Sequence, residues 1–213
     1  MNQADNESVL ATLRALVPPR NLTHTESLRI AELQANRLLE MFRIAGPRVP
    51  SELVTKLPRL EVRLEVDLPA SGSTHWERGR WVITLNASEP IVRQRFSLMH
   101  EFKHILDHTT RQYLYGDVAI DEQAAARAER AADQFAGFLL MPKRWIKREW
   151  FNNGQRLSLT ARRFDVSPRA LAVRLWLLGM ANDTPRCAPP NAFVRGRDHT
   201  HYFRPAPLTE AVA

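Results

Sequence analysis

The segment RFSLMHEFKHILDH, residues 95–108, restricts the fold of this 213-residue chain more than any other segment. Apolar residues at helical spacing predict one helix from about residue 89 to 108, which carries His100, Glu101 and His104 in the order His-Glu-x-x-His. Residues four apart on a helix are separated by about 40° in azimuth and about 6 Å along the axis, so both imidazoles can face one ion. The pattern predicts a helix that supplies two ligands to Zn²⁺.

Glu101 lies beside the two histidines and has a chemical use there. Zinc enzymes commonly combine three protein ligands with a water molecule whose pKa falls to about 7, and a neighbouring carboxylate can remove its proton. We therefore predict that Glu101 is the general base of a hydrolase. An ordinary helix with solvated histidines would show the same letters, so the hypothesis depends on a third ligand.

The third ligand should come from another helix. His108 would lie about 12 Å from His100 along a continuous helix, too far to share an ion. Glu129 is the better candidate, because it lies on an alanine-rich helix that can pack closely against the histidines, and a carboxylate buried there would need a cation. Asp133, one turn further, could accept the second ring N–H of a ligating histidine. An exposed helix with solvated acids is the alternative.

The other patterns predict an α+β fold, in the order helix, small sheet, helices. LEVRLEVDL from Leu60 alternates like a strand, and THWERGRWVITLN from Thr74 predicts a hairpin that turns near Gly79 and a strand that ends at Asn86. Further helices are predicted over residues 27–46, 121–140, 143–150, 157–164 and 168–178. We predict an N-terminal extension over 1–26, a core over 27–150, a helical subdomain over 151–183 and a tail of uncertain order over 184–213.

Residues 159–175, LTARRFDVSPRALAVRL, resemble a helix-turn-helix with a turn at residues 165–167. Arginines surround it at positions Arg162, Arg163, Arg169 and Arg174. The second helix has few positions free of apolar residues, which favours a subdomain packed on the core. We expect DNA binding that is at most weak and salt-sensitive.

Tyr113 and Tyr115 lie in the connection between the two proposed ligand helices. A phenol from either could stabilise the oxyanion of a tetrahedral intermediate, although a packing or surface role suits these tyrosines better.

Composition limits the setting of the chain. A single cysteine excludes an internal disulfide framework, and the polar N-terminus and the lack of long apolar runs give no sign of a signal peptide or a membrane span. We expect a cytoplasmic protein without membrane contact. The formal net charge of +7 is dispersed along the chain, so it is weak support for nucleic-acid binding.

Four segments in a fixed order resemble the ImmA/IrrE family of zincin-like metallopeptidases, over about residues 28–180. They are ITLN, RFSLMHEFKHILDH, ERAADQFAGFLLMP and TARRFDVSPRALAVRLWLLG. The resemblance implies a zincin-like α+β fold, zinc on His100, His104 and Glu129, and Glu101 as general base. Two positions depart from the family pattern: Lys103, where glycine is frequent and where we expect a side chain at the helix surface, and Asp133, where asparagine is frequent.

The resemblance also implies a protein substrate, typically a helix-turn-helix repressor or antitoxin whose cleavage releases genes for stress response. The sheet edge ending in WVITLN could hold this substrate as an added strand. Two rival hypotheses remain at this point. One is a zincin-fold binding module of a toxin–antitoxin or phage-immunity pair without useful turnover, and the other is a DNA-binding transcriptional regulator that uses residues 159–175.

Overall fold

The computed structural model describes residues 3–180, so the predicted tail over residues 184–213 lies outside the described residues. Within this range the elements are helices α1 (Gln3–Arg14), α2 (His24–Met41) and α3 (Glu52–Thr55), strands β1 (Leu60–Glu65), β2 (Gly72–Glu77) and β3 (Arg80–Asn86), and helices α4 (Ile91–Asp107), α5 (Arg111–Tyr115), α6 (Glu122–Leu140), α7 (Lys143–Asn152), α8 (Leu157–Phe164) and α9 (Pro168–Leu177). This is the mixed α and β architecture with a small sheet that the sequence predicts. None of the helices described here combines the length and apolar character needed to cross a bilayer.

Local sequence signals explain where the principal helices begin and end. α2 begins with a capping box in which Thr23 and Glu26 satisfy each other's backbone N–H, and α6 begins at Asp121, whose side chain accepts from the Gln123 N–H. α2 ends at Met41 rather than near residue 46, because Arg43 adopts a φ of 51°, which the helix cannot continue. The predicted helix is therefore present, but the predicted C-terminus lies several residues beyond the observed one.

The sheet has the order β1-β3-β2, with β1 parallel and β2 antiparallel to β3. Arg78 and Gly79 both have positive φ, 46° and 82°, which suits the two-residue turn of a tight hairpin. The proposed docking edge on the strand ending in WVITLN is wrong, since β3 is the central strand and both of its edges are paired. β2 is an edge strand, and it lies beside α4.

One apolar cluster joins the elements around α4. Met99, Phe102 and Leu106 of α4 pack there with Phe135 and Leu139 of α6. The segments on either side of the predicted core contribute as well, with Val9 and Leu13 before it and Phe164, Leu171 and Leu175 after it. The domain boundaries at residues 26 and 151 stay predictions, but the described parts of these segments share the hydrophobic core of residues 27–150.

The helix pair α8–α9 has the predicted turn. Asp165 takes a left-handed conformation with a φ of 56°, and the Ser167 side chain accepts from the Ala170 N–H at the start of α9. Arg95 of α4 bonds both the carboxylate and the carbonyl group of Asp165, and this guanidinium also donates to the Val49 carbonyl. The turn is thereby attached to the helix that carries the His-Glu-x-x-His sequence.

Candidate metal centre and cleft

The side chains of His100, His104 and Glu129 converge at one point. Their facing atoms form a triangle: the two Nε2 atoms are 3.1 Å apart, and the Glu129 carboxylate oxygens lie 3.2 Å from His100 Nε2 and 3.3 Å from His104 Nε2. α4 presents the histidines four residues apart, and α6 crosses beside it with the glutamate. The structure thus brings together the three residues that the sequence predicts as ligands.

This triangle has the dimensions of a zinc site. Four ligands in a tetrahedral arrangement at about 2.1 Å from Zn²⁺ are about 3.4 Å from one another. Within residues 3–180, His100, His104 and Glu129 form a group of side chains whose ligand atoms lie close enough together to hold one metal ion. Two imidazoles and one carboxylate are also a donor set that zinc accepts in enzymes, so residues and metal fit.

Asp133 determines the orientation of His100. Its Oδ1 lies 2.9 Å from His100 Nδ1. A carboxylate only accepts, so Nδ1 carries the proton and Nε2 presents its lone pair to the centre when the imidazole is neutral. Since Glu129 and Asp133 are one helical turn apart on α6, one face of this helix supplies both carboxylates.

The carboxylate of Glu129 is less buried than the sequence argument assumes. Its side chain is 63% exposed, because it lies at the rim of the α6 face rather than in the contact between helices. Of the alanines around Glu129 on this face, Ala132 and Ala136 are buried, and Ala136 packs in the apolar cluster of α4. Ala128 and Ala131 pack instead in a separate cluster with Ile30 and Leu114. The expectation of a buried carboxylate is therefore wrong, and a close approach through alanine is supported at Ala136.

The charges in the centre shift one another's pKa. Burial lowers the pKa of His100, but the carboxylates of Asp133 and Glu129 outweigh burial and raise it to about 9. The two imidazoles hold the pKa of Glu129 well below its usual range. The carboxylates of Glu129 and Asp133 thus stabilise a positive charge at the centre, as they would that of a bound metal ion.

Glu101 lies between the histidines and the edge strand β2. It is 9% exposed, and burial raises the pKa of its carboxyl group against the opposing effect of the neighbouring imidazoles. Gly72 makes this approach possible, since a Cβ at that position would lie 3.0 Å from Glu101 Cγ. Sequence reasoning missed Gly72, because only the packing of β2 on α4 gives it this role.

A cleft of about 570 Å³ extends from the centre along β2. One wall is β2 from Gly72 to Trp76, and the other carries the three proposed ligands with Glu101. Trp81, His108 and Arg111 line its far end, where the His108 ring packs against Trp81 with centroids 4.9 Å apart. His108 is therefore a cleft residue outside the ligand triangle, in agreement with the helical distance argument.

The two tyrosines suggested as oxyanion donors lie elsewhere. Tyr115 is buried, and its hydroxyl donates to Asp107 Oδ2 at 2.6 Å. Tyr113 is 39% exposed and is not among the residues that line the cleft in the described part of the chain. The structure does not bring either phenol to the cluster, and the packing or surface role is the one that it supports.

Lys103 corrects a second expectation. Instead of lying at the helix surface it is fully buried, with Nζ 2.5 Å from Asp107 Oδ1 and 2.7 Å from Gln34 Oε1. Asp107 is also the acceptor for Tyr115, so a buried polar network connects α4 with α2 and α5. A buried ammonium ion requires such partners. Asp107 lies four residues further along the same helix, where the sequence can show an ion pair, whereas Gln34 comes from α2 and the burial of the pair depends on the packing of that helix.

The arginines around the helix-turn-helix-like pair are partly engaged within the protein. Arg174 is buried, stacks over the Phe138 ring at 4.6 Å and donates to the Met141 carbonyl at 3.2 Å. Arg163 pairs with Glu149 at 3.1 Å. Arg174 therefore cannot reach nucleic acid without leaving the core.

The fold is a mixed α and β unit with a small sheet, in which β2 forms one wall of a cleft and the other wall carries a candidate metal-binding cluster. The comparison with known families gives the specific assignment. Residues 60–176 match the Peptidase_M78 model, described as the IrrE N-terminal-like domain, and because this is more than half of the sequence the chain belongs to that family. The family predicted from the sequence segments is thereby confirmed.

Similarity to solved structures supports the same fold. A Mycobacterium tuberculosis transcriptional regulator superposes with a TM-score of 0.55 at 16% sequence identity, covering 78% of this chain and 51% of that protein. The present chain thus spans about half the length of that structure, and the likeness concerns the fold alone. No curated protein matches the chain.

Proposed function

We propose that this protein is a zinc-dependent endopeptidase with a zincin-like fold that cleaves a protein partner. The observation that carries the proposal is the convergence of His100, His104 and Glu129 beside a buried carboxyl group, Glu101, that lines the same cleft. Membership of the Peptidase_M78 family supports a metallopeptidase in general terms.

His100, His104 and Glu129 would hold the metal, with Asp133 fixing the tautomer of His100. When bound, Zn²⁺ supplies a Lewis acid that acidifies water and polarises a carbonyl group. Asp133 and Glu129 raise the pKa of His100, so this imidazole would have to release its Nε2 proton in order to hold a metal ion.

Glu101 supplies the proton transfers. Its carboxylate accepts a proton from the water that attacks the peptide carbonyl and then delivers this proton to the nitrogen of the leaving amine. Burial raises the pKa of this carboxyl group above its ordinary value, which makes its carboxylate a stronger base. β2 covers the carboxyl group and limits its motion through the close contact at Gly72.

The substrate is held along β2. This edge strand lines the cleft with its residues 72–76, and its free backbone groups can pair with an extended peptide. Such pairing recognises the main chain, so selection of the partner has to come from side-chain pockets and from surfaces outside the strand. The centre lies beside this strand, which puts a bound peptide within reach of Glu101.

The partner that we propose is a helix-turn-helix repressor or an antitoxin in the cytoplasm, whose cleavage releases genes of a stress response. This part follows from the resemblance to ImmA/IrrE proteins. A binding module without turnover is the competing function, and it differs from a peptidase in the role of Glu101.

The test compares the wild-type protein with Glu101→Gln, His104→Ala and a control, Glu122→Gln, which changes an exposed glutamate at the start of α6. Elemental analysis should find about one zinc per chain in wild type, Glu101→Gln and the control, and much less in His104→Ala. Full zinc content in His104→Ala would contradict the ligand assignment.

Cleavage is measured by co-expressing each variant with candidate helix-turn-helix repressors and antitoxins from the same genome. Wild type and Glu122→Gln should give a discrete fragment, and Glu101→Gln should lose about 10²- to 10⁴-fold in cleavage rate while still binding the partner. If wild type and Glu101→Gln relieve repression equally without a fragment, the protein acts as a binding module.

A further inference from the structure

A second groove, which we call the Gly137 groove, opens next to the cleft. It has a volume of about 670 Å³, within the usual range of about 300–1,000 Å³ for ligand pockets, and it lies between the N-terminal part of α4, the second half of α6 and α9. Its apolar wall residues are Val92, Phe96, Phe138, Val173 and Leu177. Asp133 also lines the groove, and its carboxylate bonds the proposed metal ligand His100. The groove is therefore adjacent to the metal centre.

Gly137 forms an open place in this groove. It lies in the interior of α6, where glycine is less favourable than alanine. It has little exposed surface of its own, yet a Cβ built on it would meet no atom within 4 Å. The helix therefore leaves room above Gly137 that no side chain of the described residues fills.

The spacing along α6 relates this space to the metal centre. Glu129, Asp133 and Gly137 are four residues apart, so they follow one another along one face at about 6 Å intervals. The first is a proposed ligand, the second orients His100, and the third opens the groove. A side chain in the groove would thus lie about two helical turns from the Glu129 position.

The groove also reaches the strand that is proposed to hold the substrate. Arg93 and Glu89 line it, and both bond the Ser71 hydroxyl, at 3.0 Å and 2.7 Å. Ser71 directly precedes Gly72, the first residue of β2. A peptide paired with β2 therefore passes the rim of the groove as it leaves the metal centre.

Several polar groups of the groove already have partners within the protein. Arg93 bonds Ser71, Asp133 bonds His100, and Arg174 donates to the Met141 carbonyl. Glu89 Oε2, which lies 3.8 Å from Arg93 Nε, has no hydrogen-bond partner among the described residues. The apolar wall is therefore the main surface that the groove offers to a ligand, and an apolar group in contact with it displaces water without leaving Arg93, Asp133 or Arg174 unpaired.

We infer that the Gly137 groove receives one large apolar side chain of the substrate, of the leucine, methionine or phenylalanine class, while the peptide backbone lies along β2. This specificity site rests on the proposed peptidase function. Gly137 is its selecting residue, since any larger residue would occupy the space that the substrate side chain takes.

The first experiment measures cleavage specificity on a peptide mixture from a digested bacterial proteome, with full-length zinc-loaded protein. Wild type should prefer leucine, methionine or phenylalanine over alanine by at least about 10-fold at one position near the cleaved bond. Gly137→Leu should lose this preference in favour of alanine, glycine or serine at that position alone, and Gly137→Ala should change it less. Peptides that Glu101→Gln also cleaves are disregarded as the products of contaminants.

Two outcomes of this experiment overturn the inference: cleavage without an apolar preference at any position, or an unchanged preference in Gly137→Leu. Misfolding is excluded by thermal unfolding, because replacing a helix-interior glycine should maintain or raise the melting temperature.

The second experiment needs no turnover. In ¹H–¹⁵N NMR spectra of Glu101→Gln, N-acetyl-leucinamide and N-acetyl-phenylalaninamide should shift the amide signals of Phe96, Phe138 and Val173, whereas N-acetyl-alaninamide should shift them far less. Introducing Gly137→Leu should abolish the difference. Equal effects of the three amides would overturn the inference even if wild type cleaves peptides, and groove binding without any cleavage would contradict the proposed peptidase instead.

Discussion

Lys103 offers a test of how the ligand helix is held in place. Its side chain is 0% exposed and lies in an ion pair with Asp107, which is itself buried and also accepts from Tyr115. Replacement with methionine keeps an unbranched chain of similar length but removes the charge and the hydrogen bonds to Asp107 and Gln34. The substitution therefore tests the effect of losing the charge with little change in side-chain volume.

The expected loss follows from the carboxylate that remains. In Lys103→Met, Asp107 is left as a buried anion whose remaining side-chain hydrogen-bond donor among the described residues is the Tyr115 hydroxyl, and removing one partner of a buried ion pair destabilises proteins by about 3–5 kcal/mol. This is a large part of the total free energy of unfolding of a typical domain, about 5–15 kcal/mol. Asp107→Asn in the same chain removes the uncompensated charge while its amide oxygen can still accept from Tyr115.

The assay is urea unfolding of chelator-treated protein, so that bound metal adds nothing to the measured stability. Lys103→Met should lower the free energy of unfolding by about 3–5 kcal/mol, and the double variant should be more stable than the sum of the single changes predicts. Lys147→Met, on the exposed side of α7, is the matched control and should stay within about 0.5 kcal/mol of wild type. A loss below about 1 kcal/mol for Lys103→Met, or strict additivity, would refute the buried-pair argument.

Three further predictions concern the centre and the helix pair. Asp133→Ala should weaken zinc binding about 10- to 100-fold in competition with a chromophoric chelator, because His100 loses the acceptor that fixes its tautomer, and an unchanged affinity would contradict that role. Gly72→Ala should lower the cleavage rate about 10-fold with zinc retained, since its methyl group displaces Glu101, whereas Gly46→Ala, with open space around the new Cβ, should have no effect. Gel-shift titration should show only weak, salt-dependent DNA binding, and tight sequence-selective binding that is lost in Arg174→Ala would contradict the burial of this residue in the functional state.

Local patterns were sufficient to predict the elements that carry the centre. Helical periodicity and the spacing of His100 and His104 depend only on α4, and the hairpin around Gly79 depends on a two-residue turn within one short segment. Strand order was beyond such patterns, because a period of two identifies a strand without indicating its neighbours. That is why the docking edge was assigned to β3, although β3 pairs on both sides and β2 is the strand facing α4.

The site was predictable where chemistry restricts the choice of residue. Glu129 follows from the need for a third ligand on a helix that can approach α4, even though its side chain proves more exposed than expected. Tyr115 shows the limit of this reasoning: its position in the connecting segment is compatible with an oxyanion donor, but a stronger acceptor, Asp107, binds its hydroxyl in the core. Contacts between residues distant in sequence decided this case, as they did for Gly72 and Glu101.

The buried network and the metal centre lie on neighbouring faces of one helix. Towards the cleft α4 presents His100, Glu101 and His104, and on the adjoining face, about 60° around the helix from His100, Lys103 binds Gln34 of α2. Contacts of the protein itself thus hold α4 at a fixed rotation about its axis, with the two facing imidazole nitrogens 3.1 Å apart. When the protein already holds the ligand side chains in place, little free energy is lost in ordering them as the metal binds. Loosening the network around Lys103 should therefore weaken zinc binding, although Lys103 is not one of the proposed metal ligands. The ion pair of Lys103 with Asp107 and the bond to Gln34 are therefore contacts by which this chain positions its ligand helix.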